Sequence, residues 1–131
     1  MRTELLTAIT SALTTVTQFQ VSTELPFSQN ALPLYRKNMK RVYVDNANVE
    51  QTVIYAVLSG SDVFSDLTTI NVYVAMDAKN PPSQRDLLIA KILQARDTTN
   101  VVAYDREADY EVEIDEDVQI ITFQFRFGVA T

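Results

Sequence analysis

Residues 104–127 read YDREADYEVEIDEDVQIITFQFRF, and two alternating patterns meet inside this stretch. Every odd position from 105 to 117 is acidic: Asp105, Glu107, Asp109, Glu111, Glu113, Asp115 and Asp117. A strand turns successive side chains to opposite faces, so this spacing sets a comb of carboxylates along one face of an extended segment. The even positions include Tyr104, Tyr110, Val112 and Ile114, which are expected to pack on the other face. From Ile121 the phase changes, and Ile121, Phe123, Phe125 and Phe127 put the apolar residues on odd positions. A turn or bulge at Asp115-Glu116-Asp117 reconciles the two phases, and the phenylalanines two apart are a core signal.

Working outward, the rest of the chain alternates between helix and strand signals. The first helix takes Thr3 as its cap and Glu4 near its positive end, with Leu5, Ile9, Leu13 and Val16 recurring at helical spacing. Residues 22–34 contain Pro26 and Pro33 and read as an irregular connection. Strand signals follow at Val42–Val44 and at Val49–Ser59. In the second run Val53, Tyr55 and Val57 share one face while Ile54, Ala56 and Leu58 share the other. A strand apolar on both faces is covered on both sides or lies in a subunit interface.

The turn signal Ser59-Gly60-Ser61-Asp62 and a loop through Asp66 lead into a strand at Thr68–Met76, completing an antiparallel hairpin. On that strand Ile70, Val72, Val74 and Met76 face one way, with Thr69, Asn71, Tyr73 and Ala75 opposite. Pro81-Pro82-Ser83 then starts a second helix, with Ser83 as cap and a partial capping box at Asp86. Leu88, Ile92 and Ala95, flanked by Ile89 and Leu93, form its buried stripe as far as Arg96. Residues 97–100 break it, and Val101–Tyr104 reads as a short strand. The order of elements predicts a single α+β domain over residues 1–131, a mainly antiparallel sheet with two helices on one face.

Composition narrows the chemistry. The 131 residues contain no His and no Cys, which removes imidazole bases, thiolate nucleophiles and the common zinc sites. With glycine only at 60 and 128, no phosphate-binding glycine loop can be written. No apolar run is long enough for a membrane helix, and no signal peptide is evident at the N-terminus. A non-enzymatic protein without cofactor is therefore expected. The net charge of −6 is confined to the C-terminal quarter: residues 1–98 hold nine Lys/Arg and nine Asp/Glu, residues 99–131 two and eight.

Three charged features invite a functional reading beside a plain one. The acidic comb is either a solvated or edge-protecting face, or a surface that meets a charged partner or lines an opening. Spread along a strand, its carboxylates do not converge as a hard cation requires, and no lysine lies beyond Lys91 to complete a two-metal nuclease. The stretch Tyr35–Tyr43 holds Arg36, Lys37, Lys40 and Arg41 between aromatic residues. That pattern suits nucleic acid, but it suits pairing with the comb, in the same molecule or a neighbour, equally well. Spaced carboxylates also imitate phosphates, which makes an acidic binding protein, such as a DNA mimic that inhibits a nucleic-acid enzyme, the alternative reading.

The layout resembles the tail-terminator (tail-completion) proteins of long-tailed bacteriophages. The resemblance is carried by Leu5–Val16, Thr52–Met76, Ser83–Arg96 and the run DYEVEIDEDVQIITF at Asp109–Phe123. It implies a virion protein made in the host cytoplasm, a small subunit forming a ring, often a hexamer, at the head-proximal end of the tail tube. Such a ring stops tube growth, meets the tube protein and the head connector, and lets DNA through in passage. No catalytic residues come with the family. On this reading Val53, Tyr55, Val57, Tyr73, Arg36, Lys37, Lys40 and Arg41 are the expected subunit interface. Glu107, Asp109, Glu111 and Glu113 are the expected acidic surface or lumen.

Overall fold

The computed structural model of the chain describes residues 1–16, 19–22, 39–55 and 63–130. Helix α1 (Arg2–Ala12) runs into a short 3-10 turn at Leu13–Thr15 and buries Leu5, Ala8, Ile9 and Leu13. Its N-cap is Met1, so Thr3 lies inside the helix and caps nothing. Thr7 and Thr10 donate their hydroxyls back to the carbonyls of Thr3 and Leu6, at 2.9 and 2.7 Å.

Six strands form one sheet: β1 (Gln20–Ser22), β2 (Arg41–Val44), β3 (Asn48–Tyr55), β4 (Val63–Asp77), β5 (Asp105–Asp115) and β6 (Val118–Ala130). The order is β1-β2-β4-β6-β5, with β3 also on β4. All pairings are antiparallel except β1 on β2. The sheet is therefore mixed but mainly antiparallel, and both helices pack on one of its faces.

β4 is the spine. β6 pairs with it from Ser65↔Ala130 to Asp77↔Val118. On its other side β2 takes Val72–Val74 and β3 takes Val63–Thr69. Asp45, Asn46 and Ala47 span what Ile70 and Asn71 span on β4, so β2 and β3 read as one strand interrupted by a bulge. The strand pattern extends β4 through Asp66, where a loop is expected from the sequence, because Asp66 pairs with Gln51 on one side and Val129 on the other. A loop that can join two ladders satisfies its backbone better as strand.

Helix α2 (Pro82–Thr98) carries proline at its first position, and Ser83 lies within it without capping. It buries Leu88, Ile89, Ile92 and Ala95. These residues and those of α1 close over Val42 and Val44 of β2, Ile70, Val72, Val74 and Met76 of β4, and Ile121, Phe123, Phe125 and Phe127 of β6. The Phe125 and Phe127 rings lie nearly parallel, with centroids 6.4 Å apart. Beyond the helix, Val101–Tyr104 is not a strand; the chain turns there before β5 begins.

On the opposite face the described residues form a small apolar cluster, Ala75 and Val118 with Met39, Tyr73 and Ile120 around them. A two-residue turn, Glu116-Asp117, joins β5 to β6, with Asp115 paired to Val118 and Glu116 at a φ of 56°. This turn is where the apolar phase changes, since a tight hairpin reverses the chain and resets which parity faces inward.

Candidate functional site

The acidic residues from Asp105 to Asp115 share one face of β5, the face away from the helices, and all are exposed. The register places them beside β6: Glu107 opposite Arg126, Asp109 opposite Gln124, Glu111 opposite Thr122 and Glu113 opposite Ile120. At about 3.3 Å per residue, the comb extends over roughly 33 Å from Asp105 to Asp115. The carboxylates diverge along a line. Among the described residues no group of His, Cys, Asp and Glu could hold a metal ion.

The comb is not uniform. Arg126 lies between Glu107 at 3.3 Å and Asp109 at 3.2 Å, so the first half is partly neutralised by its own neighbour strand. Glu111, Glu113 and Asp115 have no such cation among the described residues. A shallow concavity of about 480 Å³ opens on this face, lined by Asn71, Asp109, Tyr110, Glu111, Thr122 and Gln124. Its carboxylates, amides and hydroxyl suit hydrogen-bond donors and cations on a partner surface.

The other face of β5 departs from the pattern expected of it. Tyr110, Val112 and Ile114 are 47, 36 and 63% exposed, and Tyr104, expected on this face too, instead lays its ring over Gly128 on the comb's side. Their cross-strand neighbours on β6, Phe123, Ile121 and Gln119, are buried. The reason is width. Two helices about 10 Å across cover roughly four strands at about 4.8 Å spacing, and β5 is the outermost strand of the path. Tyr110 only leans on the rim of the core, its ring centroid 6.2 Å from that of Phe123.

What holds the start of β5 is Arg106. Its guanidinium donates to the carbonyls of Arg96 and Thr99, each at 3.0 Å, and to that of Val101. A cation thus closes the negative end of α2 and ties it to the sheet. Sequence reading passed over Arg106, a base inside an acidic run; its even parity, shared with the inward Ala108, was the available signal. Gln119 was passed over too: it is buried, donates to the carbonyl of Asp77 at 3.0 Å and accepts from Arg85 at 3.5 Å.

Of the expected interface residues, the structure describes the side chains of Tyr73, Lys40 and Arg41. Tyr73 lies half-buried on the open face, paired with Tyr43. Burial raises its phenol pKa, the nearby Asp45 carboxylate adds to this, and a hydrogen bond with Asn71 opposes it. Arg41 is exposed at the start of β2, and Lys40, at a φ of 65°, links β1 to β4 by accepting from Gln20 and donating to Ala75 through its backbone. Val53 and Tyr55 belong to β3, but their side chains lie outside the described residues, as do Arg36, Lys37 and Val57 entirely. Among the described residues the comb's ion-pair partner is Arg126, from β6, and not Lys40 or Arg41. No helix is long and apolar enough to cross a membrane among the described residues. No protein-family model matches this chain, and no curated protein sequence matches it.

Proposed function

We propose that this chain is a structural subunit of a long-tailed bacteriophage virion, a tail terminator or neck/tail-completion protein. Copies assemble into a ring that caps the tail tube and joins it to the head connector. The observation that carries this reading is the overhanging end of β5, which exposes apolar Tyr110, Val112 and Ile114 on one face and, on the other, carboxylates with no cation partner among the described residues. A long exposed edge with an apolar face is an association hazard in a protein that works alone, and a useful surface in one that assembles. The order of helices and strands supports the same reading, as does a residue set without His or Cys. With a net charge of −6 per subunit, a ring repels DNA in passage and does not hold it.

Native mass measurement at tens of micromolar, with electron microscopy of the same sample, tests this reading. Closed rings are expected. A protein that stays monomeric there, and that also fails to bind the end of a purified tail tube, overturns it. Affinity capture from infected cells separates it from the DNA-mimic alternative: tail proteins are expected, whereas a nuclease or polymerase would favour the alternative.

A further inference from the structure

Over its turn-end half, β5 presents a free strand edge. Among the described residues it pairs with β6 alone, and every residue from Asp109 to Asp115 is exposed. The ladder fixes which backbone groups point outward. Ala78 donates its N–H to the carbonyl of Asp117 at 2.9 Å, which makes Asp77 and Val118 a non-hydrogen-bonded pair on the β4 side. A strand residue directs both backbone groups to one side, so Val118 directs its own to Asp115. Hydrogen-bonded pairs recur at every second residue, so Glu113 and Glu111 also direct theirs to β6. The N–H and C=O groups of Tyr110, Val112 and Ile114 then face away from the sheet. The side chains of these three lie on the helix side; those of Glu111, Glu113 and Asp115 lie on the other, with no ion-pair partner among the described residues.

We infer that this edge receives an extended segment of another protein, added to the sheet as a further strand, in which Lys or Arg alternates with apolar residues. The outward backbone groups of Tyr110, Val112 and Ile114 hold such a segment, and the alternation selects it. Directly paired residues on neighbouring strands share a face, about 5 Å apart. The bases of the segment therefore meet Glu111, Glu113 and Asp115, and its apolar residues meet Tyr110, Val112 and Ile114. A second copy of this chain is a poor occupant on two counts. No two of its eleven Lys and Arg residues stand two positions apart, so no strand of it sets two bases side by side on one face. A second β5 would set carboxylate against carboxylate, which is disfavoured. The inference deepens the reading above, which takes this edge as an assembly surface, by naming what the edge takes; the contact itself requires no ring.

Short synthetic peptides test this. The probe alternates valine and lysine. One control has the same composition in block order, and another is an N-methylated copy of the probe, which keeps the charge but loses backbone donors. Calorimetry in low salt is expected to show the probe binding at least about tenfold more tightly than either control. Amide exchange with the probe bound should slow at Tyr110, Val112 and Ile114 and stay unchanged at Glu111 and Glu113, whose N–H groups already face β6. The double variant Glu111→Gln with Glu113→Gln, its fold checked by circular dichroism, should bind the probe about tenfold more weakly. No binding overturns the contact, as do equal affinities for probe and controls or protection confined to other residues. Closed rings that ignore the probe overturn this contact and leave the ring reading standing. A chain that binds the probe but stays monomeric and ignores a tail tube overturns the ring reading alone.

Discussion

The two halves of β5 have the same sequence pattern and opposite circumstances. From Asp105 to Asp109 the strand is anchored: Arg106 holds the end of α2, Ala108 packs on the core, and Glu107 and Asp109 share Arg126. From Tyr110 to Asp115 every residue is exposed, on both faces. Acids hold every odd position throughout, so alternation does not separate the halves. Coverage does. The helix layer reaches the first half at the end of α2 and leaves the second half beyond its rim.

The largest test of this contrast sets a residue beneath the helices against one beyond them. Phe125→Ala empties a fully buried site on β6 and is expected to cost about 3–5 kcal/mol in denaturant unfolding. Ile114→Ala is expected to change stability by less than about 0.5 kcal/mol. A large loss for Ile114→Ala would mean that the end of β5 is covered within the single chain. Arg106→Ala comes next. It leaves three carbonyls, one in the last turn of α2 and two just after it, without this donor, and a cost of about 2 kcal/mol is expected. Amide exchange should rise in the last turn of α2 and the first half of β5, while the second half stays as it was.

A smaller effect is expected at the hairpin. Glu116 has a left-handed backbone that a side chain disfavours, so Glu116→Gly should stabilise by about 0.5–1 kcal/mol. A destabilised variant would show that contacts of the glutamate side chain outweigh the backbone strain. The smallest effect concerns the open face. The raised Tyr73 pKa means that the fold favours the protonated phenol. Its contribution is fully present below the ordinary value of 10.0 and is lost as pH rises through the higher folded value. The parent should therefore lose more stability between pH 9 and 11 than Tyr73→Phe does. Equal losses would show that Tyr73 is solvated like an unfolded tyrosine.

Both helices, the β3–β4 hairpin and the phenylalanine strand were legible because each rests on a local period that the sequence displays directly. Ile70, Val72, Val74 and Met76 alternate in the sequence and all are buried in the structure. The caps were less legible. Thr3 and Ser83 are good capping residues, but each helix begins ahead of them, at Arg2 and Pro82. β1 has no such signal, because three residues carry no periodicity; it pairs in parallel with β2.

By itself the sequence determined the parity of each strand, the placement of seven acids on alternate positions, and the reversal of phase near Glu116. Parity is a local property of extended backbone, and no other part of the chain can alter it. Only the tertiary structure decided which strand became the outer one, that Arg126 pairs with Glu107 and Asp109 and not with Glu111 or Glu113, and that Tyr110, Val112 and Ile114 meet solvent. Those outcomes depend on sheet order and on how far two helices reach across it. Residues distant in sequence set both, and the alternating pattern carries no information about either.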